Sequence, residues 1–481
     1  MANPYQSPQA TSSESGKSGG SADGKKSGEL SAGLRYLILV AAFLGWMFSG
    51  LQMTLTNLAS GSATEEFATS GLVSTDAWFN VNNLTRAPKF PSAQASPKPA
   101  SPPASFLKQQ KPKWYALYNS GFLLGAAAGG LLFGWIADWS GRVRAMGASI
   151  LCYSLFAGAG FFAAAPEQLL LLRFLSGMGV GGMWPTGVSL AAEAWSDVSR
   201  PTLAGLLGTA ANVGIVLMSA VAYFVALTPD SWRWVMLVGL CPALLGLIVL
   251  AIVPESPAWL RTRATDQLAA KSGTQKTGAL RSLFSPPLLG LTLIGIALGT
   301  IPLLGGWGVT NWLISWTESV QGSADFKARA LTSIMRASGG ALGSLFGGWI
   351  ANRLGRRTTY FLISLASFGL SELIYLQMNP TMPGFSAAVF AIGCISTVFF
   401  GWLPLYLPEL FPTHARATGA GISFNFGRIL TAIGVLGTGT ITAYFNENYR
   451  LAGSLMSLIY ASGMLVILFA PDTTTKKVGE G

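Results

Sequence analysis

Gly134-Trp135-Ile136-Ala137-Asp138-Trp139-Ser140-Gly141-Arg142 is the stretch that decides the fold, because the chain contains it twice. Gly134-Trp135-Ile136-Ala137-Asp138 returns as Gly348-Trp349-Ile350-Ala351-Asn352, and Gly141-Arg142 as Gly355-Arg356, at one constant offset. Upstream, Gly125 and Gly129 match Gly339 and Gly343 at that offset. Downstream, Glu193, Arg200, Thr202 and Gly205 match Glu409, Arg416, Thr418 and Gly421 at a slightly larger one. A chain that repeats itself halfway along is built from two units on one plan.

Both copies lie among apolar runs. Of 481 residues 51% are hydrophobic and 11% charged, less than half the charge of an ordinary soluble domain. The 15 Trp and 58 Gly fit a membrane chain, since Trp collects at membrane interfaces and Gly is frequent in membrane helices. Stretches near the about 20 residues a spanning helix needs fall at 36–58, 114–137, 145–165, 168–194, 202–227, 233–253, 287–316, 329–351, 359–377, 385–407, 418–443 and 451–470. The expected fold class is therefore all-α and polytopic: twelve transmembrane helices in two pseudo-symmetric six-helix bundles.

An even number of spans puts both termini on one side. Arg142, Arg144, Arg261, Arg263, Arg281, Arg353, Arg356 and Arg357 gather there with the basic tail, which marks it as cytoplasmic. The net charge of +11 thus reads as topology, and no nucleic-acid partner is expected. The expected organisation is a disordered cytoplasmic tail (1–34) and an N-terminal bundle (35–253) with an extracytoplasmic loop (59–113). A cytoplasmic linker (254–286), a C-terminal bundle (287–471) and a short cytoplasmic tail (472–481) follow. The Pro- and Ser-rich second half of the first loop reads as extended or disordered. The expected location is a plasma or inner membrane, with the lipid bilayer as partner and the protein a monomer.

Cys152, Cys241 and Cys394 all lie in apolar runs, so they imply no disulfide framework. One histidine, His414, supports neither a metal site nor a catalytic triad; no metal, cofactor or enzyme activity is expected. Gly177-Met178-Gly179-Val180-Gly181-Gly182 has dinucleotide-binding spacing but no preceding strand. Asn83-Leu84-Thr85 is a glycosylation sequon on the first loop. Gly121, Gly125 and Gly129, and Gly339, Gly343 and Gly347, form bare helix faces. They suit either tight packing or a sliding surface between the halves.

The repeated segment resembles the signature of the major facilitator superfamily between its second and third helices, with a second-half counterpart at 348–356. Arg173-Phe174-Leu175-Ser176-Gly177-Met178-Gly179 is similar to that family's helix-four motif. Pro254-Glu255-Ser256-Pro257-Ala258-Trp259-Leu260 resembles its sugar-porter branch, as does Pro471-Asp472-Thr473 more weakly. Gly45-Trp46-Met47-Phe48 and Phe424-Asn425-Phe426-Gly427-Arg428 are closer to its carboxylate and organic-ion branches. The resemblance implies two bundles rocking about a central cavity, with substrate near the midplane. It also implies a gating role for charges at the cytoplasmic helix ends: Asp138, Arg142, Glu193 and Arg200, then Asn352, Arg356, Glu409 and Arg416. Ordinary satisfaction of helix ends is the plainer alternative. Asn352 in place of an acid weakens the second set.

Ionisable residues within a span are costly and usually functional. Arg173, Arg336, Glu372 and Arg428 are the candidates. Arginine keeps its proton, and no carboxylate occupies the middle of any span, so the missing counter-charge at Arg336 and Arg428 is expected to arrive with the substrate. A guanidinium fork fits a carboxylate, which makes a small organic anion the expected solute. Pairing with helix-end carbonyls or with Glu372 is the alternative. Arg173 is expected to serve structure or gating. Asn425, Ser49, Gln52, Asn311 and Trp307 are candidate cavity groups; Trp184, Pro185 and Trp402 either shape the cavity or pack.

Proton-coupled relatives in the carboxylate branch carry acids where this chain has Ser49 and Gln52, which do not titrate. Facilitated diffusion, exchange or coupling elsewhere is therefore expected. A sugar porter is the second transporter reading, and a transporter-like sensor is the reading of another class.

Overall fold

The computed structural model describes residues 31–73, 79–89, 102–195, 200–257, 259–261, 263, 279–286, 288–322, 325–412, 415–445 and 448–473. The expected disordered tail up to residue 30, the Pro-rich part of the first loop (90–101), most of the linker, His414 and the last residues lie outside this set.

The first half comprises α1 (Ala32–Thr69), α2 (Ala104–Ser140), α3 (Arg142–Ala159), α4 (Pro166–Ala194), α5 (Arg200–Phe224) and α6 (Trp234–Ile252, broken near Pro242). The second comprises α7 (Leu289–Gln321), α8 (Phe326–Leu354), α9 (Arg356–Gln377), α10 (Phe385–Gly401), α11 (Arg416–Tyr444) and α12 (Tyr449–Phe469). Nine helices among the described residues are long and apolar enough to cross a membrane. Of the rest, α4 and α8 carry buried arginines and α10 is short. Helix starts follow local chemistry. Ser31, Asp325 and Asn448 accept from the backbone N–H three residues on, opening α1, α8 and α12. Gly141 (φ +114°) and Gly355 (φ +83°) make the tight corners α2–α3 and α8–α9, which is why both copies of the signature end in Gly-Arg.

The first loop is shorter at both ends than expected, because α1 runs on to Thr69 and α2 begins at Ala104. Small polar residues such as Ser60, Ser62 and Thr64 lower the hydropathy there, yet they are buried within the bundle. The Ser62 hydroxyl donates to the Leu227 carbonyl (3.2 Å). The sequon residue Asn83 is buried, and its Oδ1 accepts from Arg86 Nε (3.1 Å).

The glycine faces settle as packing inside each half. A side chain at Gly125 or Gly129 would strike the Phe174 or Met178 carbonyl of α4, and one at Gly339 or Gly343 the Phe390 or Cys394 carbonyl of α10. They are not a sliding surface. The halves instead meet along two seams, α5 on α8 and α2 on α11.

Candidate functional site

Where the halves face each other, a cavity holds about 1100 Å³ of space not filled by atoms, mouth included. Its wall is aromatic. Trp46 and Trp184 pack at 4.8 Å between centroids and Phe122 and Trp307 at 5.8 Å, with Phe400 and Phe424 completing the apolar surface. The polar groups are few: Asn57, Asn212, Asn311 and several hydroxyls. Two cations enter it, Arg336 from α8 and Arg428 from α11, both largely buried. No acidic residue lines it among the described residues.

α7 places Trp307 and Asn311 through a local irregularity. Pro302 has no N–H to give Leu298, and the Tyr360 hydroxyl donates to that carbonyl instead (2.9 Å). The next turn, Gly305–Thr310, is a π-helix, a form often found at functional sites. The Tyr375 hydroxyl, itself from a π-turn of α9, holds it at the Val309 carbonyl (2.6 Å).

The two arginines are held differently. Arg428 Nη1 donates to the Ala126 carbonyl of α2 (2.9 Å) and to Asn425 Oδ1 (3.2 Å), and its guanidinium lies 5.1 Å from the Phe424 ring centre. Arg336 makes no hydrogen bond or ion pair among the described residues, and its Nε is buried without a partner. Tyr115 and Tyr460 are its electrostatic neighbours. Asn311 Oδ1 is a second orphaned atom at the cavity. Such groups cost free energy when buried alone, and Arg336 and Asn311 both line the cavity.

Twelve helices in two halves around a cavity, the doubled signature and a sequence match over residues 113–435 agree. The chain belongs to the Major Facilitator Superfamily. It is similar to the cis,cis-muconate transport protein of Acinetobacter baylyi, 31% identical over 65% of this chain and 74% of that one. It is also similar to mouse solute carrier family 2, facilitated glucose transporter member 8, 28% identical over 70% and 76%. A crystal structure of a D-xylose–proton symporter shares the fold, with a TM-score of 0.64, 18% identity and coverage of 92% of this chain and 99% of that one. The chain is thus a superfamily transporter of a small solute and a multi-pass membrane protein.

Within this superfamily fold, Trp307, Asn311, Arg336 and Arg428 line the cavity, and Asn425 supports Arg428 from the edge. Ser49 and Gln52 do not reach it. The α1 stripe facing the cavity is Trp46, Met53 and Asn57. Ser49 donates to its own helix at Gly45 (3.0 Å), and Gln52 to the Gly239 carbonyl of α6 (2.7 Å). Arg173 stands behind the wall, donating to the Gln52 carbonyl (2.9 Å) with its guanidinium 4.6 Å from the Phe122 ring centre. Trp184 lines the cavity; Trp402 is core, packed on Tyr360 and Tyr406. Glu372 pairs with neither arginine: its carboxylate accepts from Ser454 (2.7 Å) and Ser457 of α12.

The helix-end charges form one cluster per half. Arg142 bonds Asp138 (2.6 Å) and faces Glu193 (3.6 Å), while Glu255 accepts the backbone N–H of Arg142 (2.9 Å) and Ser256 binds Glu193. Arg356 bonds Asn352 (3.0 Å) and Glu409 (3.2 Å), and Thr473 donates to Glu409 (2.6 Å). Arg416 opens α11 with its Nε unpartnered; the Arg200 side chain lies outside the described residues.

The opposite face carries a network that sequence reasoning missed. Glu318 of α7 pairs with Arg329 of α8 (3.0 Å) and, across the halves, faces Lys111 of α2 (3.9 Å), which also bonds Glu65 of α1 (2.9 Å). Arg329 donates to the Leu227 carbonyl of the first half (3.3 Å). Just below, Tyr115 of α2 bonds Asn57 (2.9 Å) and the Asn311 carbonyl of α7 (3.3 Å). The faint signal was an acid near the end of α7 and a base early in α8.

Proposed function

We propose that the chain carries a small organic anion, a carboxylate, across a cytoplasmic membrane by alternating access, with both termini on the cytoplasmic side. One observation supports this most: Arg336 and Arg428 both enter a largely apolar cavity that has no acidic residue in its wall among the described residues. A carboxylate about 4 Å from a guanidinium gains about 4 kcal/mol at an effective dielectric near 20, and fork geometry adds direction. The muconate-transporting relative agrees with an acid substrate.

Transport is facilitated, by exchange, or coupled at a site other than Ser49 and Gln52. Ser49 and Gln52 do not titrate and face away from the cavity. Adding substrate to protein-containing vesicles leaves the outside pH unchanged in the first two cases; alkalinisation would leave only the third.

A sugar is the second reading. It draws on the glucose-transporter relative and on Asn57, Asn212 and Asn311, whose amides suit hydroxyls. Proteoliposomes loaded with labelled benzoate, lactate, sialic acid or glucose separate the two: saturable flux of an acid, uncompeted by glucose, is expected.

A further inference from the structure

Resting on the anionic-substrate reading, we propose that the two cavity arginines divide their duties: Arg336 receives the carboxylate, and Arg428 ties the halves together until the bound anion releases it. The α2–α11 seam shows where the tie sits. Starting from the face of the Lys111–Glu318 network, the seam is closed at Gly439 on Ala116, and at Ser120, whose hydroxyl donates to the Ala432 carbonyl (2.8 Å). It is closed again at Arg428 on Ala126. One turn further, Gly130 lies against Asn425 and Arg428; beyond that, Gly134 and Gly421 have nothing opposite them within 4 Å. Arg428 is therefore the last polar tie on this seam before it opens.

The tie is one an anion can displace. A neutral backbone carbonyl, already inside α2, is a weaker acceptor for a guanidinium than a carboxylate. Arg336 has no hydrogen bond or ion pair to give up among the described residues, and its Nε is buried unpartnered. An entering carboxylate thus gains most at Arg336, and its charge then draws Arg428 away from Ala126. A ligand shifts a conformational equilibrium only through interactions that differ between states. The Arg428–Ala126 bond supplies such a difference, since it spans the halves and exists only while they are closed there. The empty carrier is held; the loaded carrier rocks.

The test pairs binding with flux in the full chain, using benzoate as probe. Binding is read from quenching of tryptophan fluorescence in nanodiscs, and flux as the ratio of benzoate exchange to net benzoate efflux in proteoliposomes. Arg336→Gln should weaken binding by about tenfold or more. Arg428→Gln should leave affinity within about threefold while the exchange-to-efflux ratio falls to about one, because the empty carrier is no longer held. Gly130→Ala keeps both guanidiniums but puts a methyl 2.5 Å from Asn425 Oδ1 and 3.2 Å from Arg428 Nη1. It should lower the ratio in the same direction, and it decides the matter if Arg428→Gln is poorly folded. Equal loss of affinity in both arginine variants, or an unchanged ratio in Gly130→Ala, overturns the division of duties while leaving an anion carrier. Failure of the unaltered protein to bind benzoate or any other carboxylate overturns the anion reading beneath it.

Discussion

The two faces of the molecule differ in whether charge also crosses between the halves. On the face where α1 begins and α12 ends, Arg142 pairs with Asp138 and Glu193, and Arg356 with Asn352 and Glu409, each set inside its own half. On the other face, Lys111 reaches from α2 toward Glu318 of α7, and Arg329 of α8 reaches back to Leu227. Charges within a half brace it through every conformation. Charges across the halves must part whenever that face opens. The structure is therefore shut at the Lys111–Glu318 face, and the pairs of the doubled motif named above lie inside each half in this state.

Breaking the cross-half network should have the largest effect. Glu318→Gln removes the Lys111 contact across the halves and, inside the second half, leaves Arg329 buried without its counter-charge, a change on the order of 3 kcal/mol when a pair is buried. A cysteine at Ser60, which lines the recess beside Glu318, should then react with an impermeant maleimide about tenfold faster in a background lacking the native cysteines. Unchanged labelling would mean the network does not hold that face. Tyr115→Phe removes the bonds to Asn57 and Asn311, worth about 1 kcal/mol. The same label should react a few times faster.

Charges within a half should behave otherwise. Arg142→Gln or Arg356→Gln should lower the thermal midpoint by a few degrees, consistent with partly exposed pairs worth about 1 kcal/mol. Ser60 labelling should stay within about twofold of the parent. A jump in labelling would instead place these residues in a clasp between the halves. The smallest effect is expected of Asn352→Asp, which gives the second half the acid the first half has at Asp138. It should raise the midpoint slightly, and a fall would show that the neutral partner suits Arg356 better.

The sequence made the architecture legible because spans and their repeat are carried by long apolar runs and by Gly-Arg corners that only a tight turn requires. Arg336 and Arg428 were legible for a related reason: a guanidinium inside a span must face something other than lipid. Rotation about a helix was not legible. Ser49 and Gln52 lie only a turn from Trp46 and Met53, and whether a side chain meets the cavity or α6 depends on how α1 sits in its bundle. Nor could the sequence show that Glu318 and Lys111, far apart in the chain and each beside a loop, meet across the halves. Small polar residues at the end of α1 hid buried helix as loop, since hydropathy counts a residue's polarity and not its packing; Ser62, for one, is buried with its hydroxyl on the Leu227 carbonyl.

On the anion reading, the guanidiniums of Arg336 and Arg428 await a negative charge in the cavity. Uptake of labelled benzoate into proteoliposomes, with unlabelled glucose as competitor, compares the parent protein with Arg336→Gln most directly. The expected result is saturable benzoate uptake in the parent, indifferent to glucose and lost in the variant. Glucose uptake by the parent that survives Arg336→Gln, with no benzoate uptake in either, would contradict it.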